Sequence, residues 1–470
     1  MTEPAFDRER IAAFRFTSRS FDPATGEARL GYAFDDLPEM VETIRFPGAP
    51  FTLDDARAAA VSRALLLLHL IAGVSYYKAA VPPDIVIEGA PIDAATADLM
   101  QLLYENGLGE FAYRNGLQLR GKIVFPHASQ ATGDSLASPA SASVSSGANA
   151  LAPAAGLHDH ALVAIGGGKD SLVSIEALRR VGVAQTVSWI GSSPLIRACA
   201  ERTGLPTLNI TRTLAPALFE YNKRGALNGH IPVTAVNSAI LALAALLQGA
   251  HAVVFSNERS ASYGSLIPGT GEVNHQWSKG WEFEQRLAAH LKSHVAADLQ
   301  YFSLLRPLSE LAVARQFART DHYDAWFSSC NRNFHILGER PAQRWCGACP
   351  KCHFVFLALA PFMPKPRLMA IFGRNLLDEA EQAPGFDALL EYRDHKPFEC
   401  VGEGIESRAA MAALAQMPTW REDALVARFA EQIRPQLGDT DLSLAPLLVP
   451  TGSHGIPPGL WSALLENFGT

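Results

Sequence analysis

The sequence predicts an α/β fold built on a doubly wound parallel sheet, with an α+β domain ahead of it and a mainly helical carboxy-terminal region behind it. Three observations carry this. Beyond residue 157, short apolar runs alternate with helical patterns, as in parallel strands joined by crossover helices. The first of these runs leads directly into a glycine turn and a helix. A chain of 470 residues with 48% hydrophobic content is long enough for two or three cores.

Taken in order, Phe14-Arg-Phe16 and residues 28–34 bracket Asp22-Pro-Ala-Thr-Gly26, two strands and their turn. A helix over 53–74 follows, signalled by Thr52, Asp54 and Asp55. Its most apolar part, 64–74, is well short of the ~20 residues that span a bilayer and reads as a buried helix. Tyr76, Tyr77 and Lys78 then either face a ligand or close the helix end. Residues 128–156 are almost entirely Ala, Ser, Gly, Pro and Thr, with Asp134 the only charge, too little apolar surface to offset ordering entropy. A flexible linker over 128–157 is expected, dividing a domain at 1–127 from one at 158–363, with a helical region at 364–470. Strands are predicted at 161–165, 186–190, 207–210, 252–256 and 301–305. The helix at 232–247 is apolar nearly all round and therefore buried.

Residues 161–171 read Ala-Leu-Val-Ala-Ile-Gly-Gly-Gly-Lys-Asp-Ser. Glycines 166–168 lack Cβ atoms, so successive backbone N–H groups can converge on an anion. The helix marked by Leu172, Ile175, Leu178 and Val181 aims its positive end at the same point. Neither G-x-x-x-x-G-K-[ST] nor G-x-G-x-x-G fits this spacing. Gly166, Gly167, Gly168, Lys169, Asp170 and Ser171 are the candidate phosphate ligands. In such sheets ligands bind beyond the carboxyl ends of the strands, which adds Ser192, Asn257, Glu258 and Arg259. Glu258 can hold Mg²⁺ or move a proton, and Arg259 can clamp a carboxylate or phosphate; as solvated loop charges they would do neither. Residues 274–281 gather two tryptophans, His275 and Lys279 into a ligand loop or an aromatic plug.

Of six cysteines, three stand in Cys346-Gly-Ala-Cys349-Pro-Lys-Cys352, with Cys330 upstream. Two-residue gaps let neighbouring thiolates turn onto one ion, so a structural Zn²⁺ site is expected, with an iron–sulfur cluster or redox disulfide as alternatives. Cys199 and Cys400 stand apart. Residues 394–408 mix acids, bases, a thiol and two glycines, completing a pocket or forming a solvated turn. Net charge is −7, from 40 basic and 47 acidic residues, which argues against a broad nucleic-acid surface. Residues 1–16 lack an apolar core of signal-peptide length, so a cytoplasmic protein without membrane partners is expected, its oligomeric state open.

The glycine loop resembles the S-G-G-x-D-S signature of the PP-loop ATP pyrophosphatases: Gly167, Gly168, Asp170 and Ser171 match, and Gly166 stands where that family usually has serine. The resemblance implies a sheet of PP-loop, HUP-like type that cleaves ATP between its α and β phosphates. Across nearly the full length, the Ile-Gly-Gly-Gly-Lys-Asp-Ser, Ser-Asn-Glu-Arg-Ser, Trp-Cys-Gly-Ala-Cys-Pro-Lys-Cys and Glu-Cys-Val-Gly-Glu segments resemble the UDP-N-acetylmuramoyl-L-alanyl-L-glutamate epimerases of bacterial peptidoglycan synthesis. That resemblance implies inversion of the terminal L-glutamate of UDP-MurNAc-L-Ala-L-Glu, consuming ATP and water with Mg²⁺ as cofactor and releasing AMP and diphosphate. Lys169 and Asp170 would serve adenylation; Glu258, Lys279, Cys400 and Glu403 are the candidates for proton transfer. A PP-loop synthetase that amidates or cyclises a carboxylate is the alternative, and a zinc-stabilised nucleotide sensor a third reading.

Overall fold

The computed structural model describes residues 6–89, 91–128, 151–267, 271–334, 341–393 and 396–469. Its strands are Ala13–Asp22 (β1), Glu27–Phe34 (β2), Met40–Arg45 (β3), Asp84–Ile87 (β4), His158–Ala164 (β5), Gln185–Ile190 (β6), Thr207–Thr213 (β7), Ala250–Phe255 (β8), Ser265–Ile267 (β9), Gly271–Val273 (β10) and Gln300–Ser303 (β11). Nine of them form one sheet in the order β11-β8-β5-β6-β7-β3-β2-β1-β4; β9 and β10 pair separately. The α/β class is as expected, and the strands anticipated after residue 157 lie within a few residues of their predicted places. The sheet, however, is mixed rather than purely parallel. β1 and β2 pair antiparallel, as do β2 and β3, and β3 continues antiparallel onto β7 through Thr43↔Thr213 and Arg45↔Thr211. Pairing with β3 satisfies the edge that β7 would otherwise present.

Strand order reverses beside β5. From β5 the chain steps through the helices Lys169–Arg180 and Pro194–Arg202 to β6 and β7, then returns to the other flank of β5 with β8 and β11. The loops that follow β5 and β8 therefore start from neighbouring strands, at the kind of switch point where α/β sheets bind ligands.

The chain divides into two compact units, each discontinuous in sequence. One comprises residues 1–162, 208–253 and 283–301; the other comprises 163–207, 254–282 and 302–470. These units do not follow the linear cuts at 128, 158 and 364, because β7 and the helix Val233–Gln248 belong with the amino-terminal strands and helices.

In the first unit, Phe14, Phe16, Tyr32 and Phe34 are buried where β1 meets β2, and Phe14↔Phe34 and Phe16↔Tyr32 are register partners. The helix Asp55–Ala72 starts at Asp54, whose carboxylate accepts the Arg57 N–H at 2.8 Å. This helix packs on Val233–Gln248, and both are largely buried. Helical residues continue to Tyr77, so by length and composition the stretch Asp55–Tyr77 could cross a membrane, but 72% of its most apolar window lies inside the protein. Tyr76 and Lys78 close the helix end. The Tyr76 hydroxyl accepts the Ala215 N–H at 3.0 Å, and the Lys78 ammonium donates to Asn228. Of the expected linker, 129–150 lie outside the described residues. Residues after it are tied down: the Ala155 and Leu157 N–H groups donate to the Asp298 carboxylate at 2.8 and 2.9 Å.

Glu42, fully buried on β3, accepts two hydrogen bonds from Arg212 of β7 at 2.7 and 3.1 Å, and Arg212 also reaches the Ser75 hydroxyl at 3.0 Å. Arg212→Ala leaves an uncompensated buried carboxylate, and a loss of about 3–5 kcal/mol in urea unfolding is expected.

Candidate active site

The candidate site residues all lie in the second unit. After β5 the chain turns at Gly167, whose φ of +80° belongs to the left-handed region, and enters the helix Lys169–Arg180 at its N-cap, Gly168. The Gly167 carbonyl accepts the Ser328 N–H at 2.9 Å, so the turn is braced from outside. A Cβ on Gly166 would meet nothing within 4 Å, whereas one on Gly168 would stand 2.6 Å from the Ser329 Oγ. A serine at position 166 therefore has room here. Gly166→Ser is expected to leave thermal stability unchanged, and Gly167→Ala to cost about 1–2 kcal/mol by forcing a side chain into the left-handed region.

Lys169 turns inward. Its ammonium is fully buried and donates to Asp170 and to Glu310, the first residue of the helix Glu310–Ala318. Burial opposes its charge, but the two carboxylates outweigh burial and hold it well above the usual lysine range. Asp170 keeps a quarter of its side chain exposed. Burial would raise its pKa, yet Lys169, Lys351 and Lys279 bring it below the usual carboxylate range. Glu310 lies at the other end of the balance: burial, reinforced by Asp170 and Glu258 against the pull of Lys169 and Lys351, pushes it up to about 7. The Ser171 hydroxyl donates to the Gly168 carbonyl at 3.2 Å.

After β8, Glu258 is buried, and burial followed by the charge of Asp170 raises its pKa although Lys279 pulls the other way. Arg306, 2% exposed, donates to the Glu258 carbonyl at 2.8 Å and to the Lys279 carbonyl, fixing the two segments against each other. The tryptophan loop ends in a short 3₁₀ turn, Trp277–Lys279, that delivers Lys279 to Cys400 with Nζ to Sγ at 3.0 Å. Burial would raise the Cys400 thiol, but Lys279, His275 and Lys351 hold it well below the usual thiol range, which favours the thiolate. Lys279 is correspondingly raised: burial works against its charge, and Cys400, Glu258 and Asp170 overcome it.

Other candidates stand elsewhere. Ser192 is exposed ahead of Ser193, which caps the helix Pro194–Arg202. Asn257 donates to the Ser303 hydroxyl at 3.0 Å, and Arg259 donates to the Thr451 hydroxyl. Glu403 caps the helix Gly404–Ala415 in a reciprocal box with Glu406, which accepts the Glu403 N–H at 2.9 Å. Its carboxylate is thus engaged with backbone. Asp394 and His395 lie outside the described residues. Cys199 is buried and donates to the Trp326 carbonyl at 3.2 Å, its thiol pushed up to about 12 by burial. Glu310, Arg306, Lys351 and Glu406 were not singled out from sequence.

The thiols of Cys330, Cys346, Cys349 and Cys352 all lie within 4.8 Å of one another, with Sγ to Sγ distances of 3.7 Å for Cys346 and Cys352 and 3.4 Å for Cys349 and Cys352. Four sulfurs around one tetrahedral zinc, each at ~2.3 Å, stand about 3.8 Å apart, so this donor set fits the ion. Cys330 joins the group despite its distance in sequence.

Residues 5–304 match the family described as the MurL N-terminal domain, and residues 326–443 match the MurL C-terminal domain. A protein of Xanthomonas oryzae pv. oryzae (strain MAFF 311018), named UDP-N-acetyl-alpha-D-muramoyl-L-alanyl-L-glutamate epimerase, is 68% identical over 464 residues, 99% of each chain. Proteins of the same name from Micromonospora sp. (strain ATCC 39149 / NRRL 15099 / SCC 1413) and Salinispora tropica are 44% and 42% identical, over 97% of this chain and 98% and 96% of theirs. With both domain families matched along most of the chain and full-length relatives this close, the chain belongs to the MurL family.

Proposed function

We propose that the protein is an ATP-dependent epimerase that converts the terminal L-glutamate of UDP-MurNAc-L-Ala-L-Glu to D-glutamate through an acyl-adenylate, releasing AMP and diphosphate. The observation that carries this reading is a braced glycine turn at a helix N-terminus in the same unit as a thiol held toward its thiolate form, Cys400, and an acid held toward its neutral form, Glu258. The names of the relatives supply the substrate. Within this proposal the sheet is of PP-loop type and the reaction is cytoplasmic.

A free carboxylate next to the α-carbon would make its deprotonation generate a dianion. Attack of that carboxylate on the α-phosphorus of ATP, with diphosphate leaving, removes the charge and lets the carbonyl oxygen accept the electron pair released from Cα. The backbone N–H groups of the glycine turn hold the phosphates. Mg²⁺ would neutralise the triphosphate, and the partly exposed Asp170 carboxylate is the oxygen donor suited to it. Cys400 takes the α-proton as a thiolate and becomes a thiol; Glu258 delivers a proton to the opposite face and becomes a carboxylate. Groups whose surroundings push their pKa values apart divide acid from base in this way. Water then opens the acyl-adenylate to D-glutamate and AMP, and proton exchange with solvent resets both residues. Zn²⁺ in the cysteine cluster would act as a structural cross-link.

The test is incubation with ATP, Mg²⁺ and UDP-MurNAc-L-Ala-L-Glu, following AMP, diphosphate and glutamate chirality together. AMP with D-glutamate is the expected outcome. ADP with phosphate, or an ammonia-dependent amide, would overturn the reading.

A further inference from the structure

Lys351 occupies the gap between two members of the cysteine cluster, and both of its polar ends face the segment that carries Cys400. Cys349 is the N-cap of the helix Pro350–Leu359, and Cys352 lies in its first turn. The Lys351 N–H, one of the groups a helix start leaves without an internal partner, donates to the Glu399 carboxylate at 3.2 Å. Its ammonium donates to the Cys400 carbonyl and stands 3.8 Å from the Glu310 carboxylate, which also receives Lys169. One turn on, Phe354 packs so closely on Gly402 that a Cβ there would come within 2.5 Å of the ring. Residues 396–403 have no helix or strand of their own to hold them. The first two turns of this one helix therefore touch the segment at 399, 400 and 402.

We propose that Lys351 is a positioning residue through which the four-cysteine cluster sets the place of Cys400: an ion bound by the cluster fixes the helix start, and the helix start fixes the thiol. The cluster would then do more than hold the fold together. Groups facing Cys400 are Lys279 and His275 from the tryptophan loop, Lys351 from the helix, and Glu399 from its own segment. Lys279 supplies the direct contact to sulfur, while Lys351 acts on the backbone beneath it.

The experiment uses the full chain and needs no substrate. Cys400 alkylation by iodoacetamide is followed by peptide mass spectrometry across pH, alongside zinc content, for the parent, Lys351→Met, Lys351→Arg, and the parent stripped of zinc by a chelator. The expected result is that Lys351→Met keeps its zinc and moves the alkylation midpoint to higher pH, that Lys351→Arg restores it at least in part, and that stripping zinc from the parent gives the same shift. Should the methionine variant fail to fold, the arginine variant and the stripped parent still decide. An unchanged midpoint in Lys351→Met, or in the stripped parent, overturns the proposal. The kinetic arm rests on the epimerase reading: kcat is expected to fall about 10- to 100-fold in Lys351→Met with the ATP KM held within about twofold. A shifted midpoint in a chain that never inverts glutamate would leave the coupling standing and reject the epimerase reading instead.

Discussion

Cys400→Ala is expected to abolish glutamate inversion and exchange of the α-hydrogen with solvent deuterium while AMP and diphosphate still form. The separation follows from where the thiol sits. It is paired with Lys279 at 3.0 Å and has no hydrogen bond to the glycine turn, so its removal leaves the adenylating groups in place. A general base is worth about 10²–10⁴-fold, which sets the size of the loss. The pH dependence follows from the direction of the shift. Because Lys279, His275 and Lys351 lower the thiol pKa against burial, the reactive thiolate is favoured over a wider pH range and is lost as pH falls through that lowered value. Lys279→Met removes the largest of these three influences and lets burial push the thiol up, so the acid limb of the rate profile moves to higher pH. Alanine at Cys400 with α-hydrogen exchange at the parent rate would remove this residue from the proton path.

Asp170→Ala is expected to stop the reaction a step earlier, lowering AMP formation at least about 100-fold, the scale for losing a preorganised electrostatic group in an active site. The variant should remain folded, since Lys169 keeps Glu310 as a partner and the helix keeps its glycine N-cap. A second readout separates charge from shape. Asp170 raises both Glu258 and Glu310, so the alanine variant should titrate both carboxyl groups at lower pH than the parent, whether or not nucleotide is present. AMP release at the parent rate, measured by chromatography, would remove Asp170 from adenylation.

The parts of this protein that were legible in sequence are those written locally. The glycine turn, the helix after it and the three clustered cysteines each depend on neighbours within a dozen residues, and each appears where the spacing put it; Cys330, expected as the fourth thiol, joins them from farther along the chain. Lys169 was legible as a residue and not as a direction. A lysine beside three glycines reads as a phosphate ligand until Glu310, far along the chain, draws it inward. Nothing local distinguishes Glu310, an acid in the first helical turn after the cap Ser309, from a solvated one. Lys351 stands between two cysteines with no local pattern to mark its role. β3 escaped notice because Glu42 takes an inward position, breaking the alternation that marks a half-buried strand, and only Arg212 makes that acid acceptable there. Arg306 and Glu406 act on backbone groups of distant segments, a role that leaves no local pattern.

The inward course of Lys169 bears on chemical proteomics. Reagents that acylate lysines beside bound nucleotides need a free amine within reach of solvent, and here the amine is fully covered and shared between two carboxylates. Such a reagent should pass this loop without leaving a mark, so silence from Lys169 in a proteome-wide survey would carry no information on whether nucleotide binds at the turn. Occupancy of the turn would have to be read by another route, for which the open flank at Gly166 gives room for a reporter group.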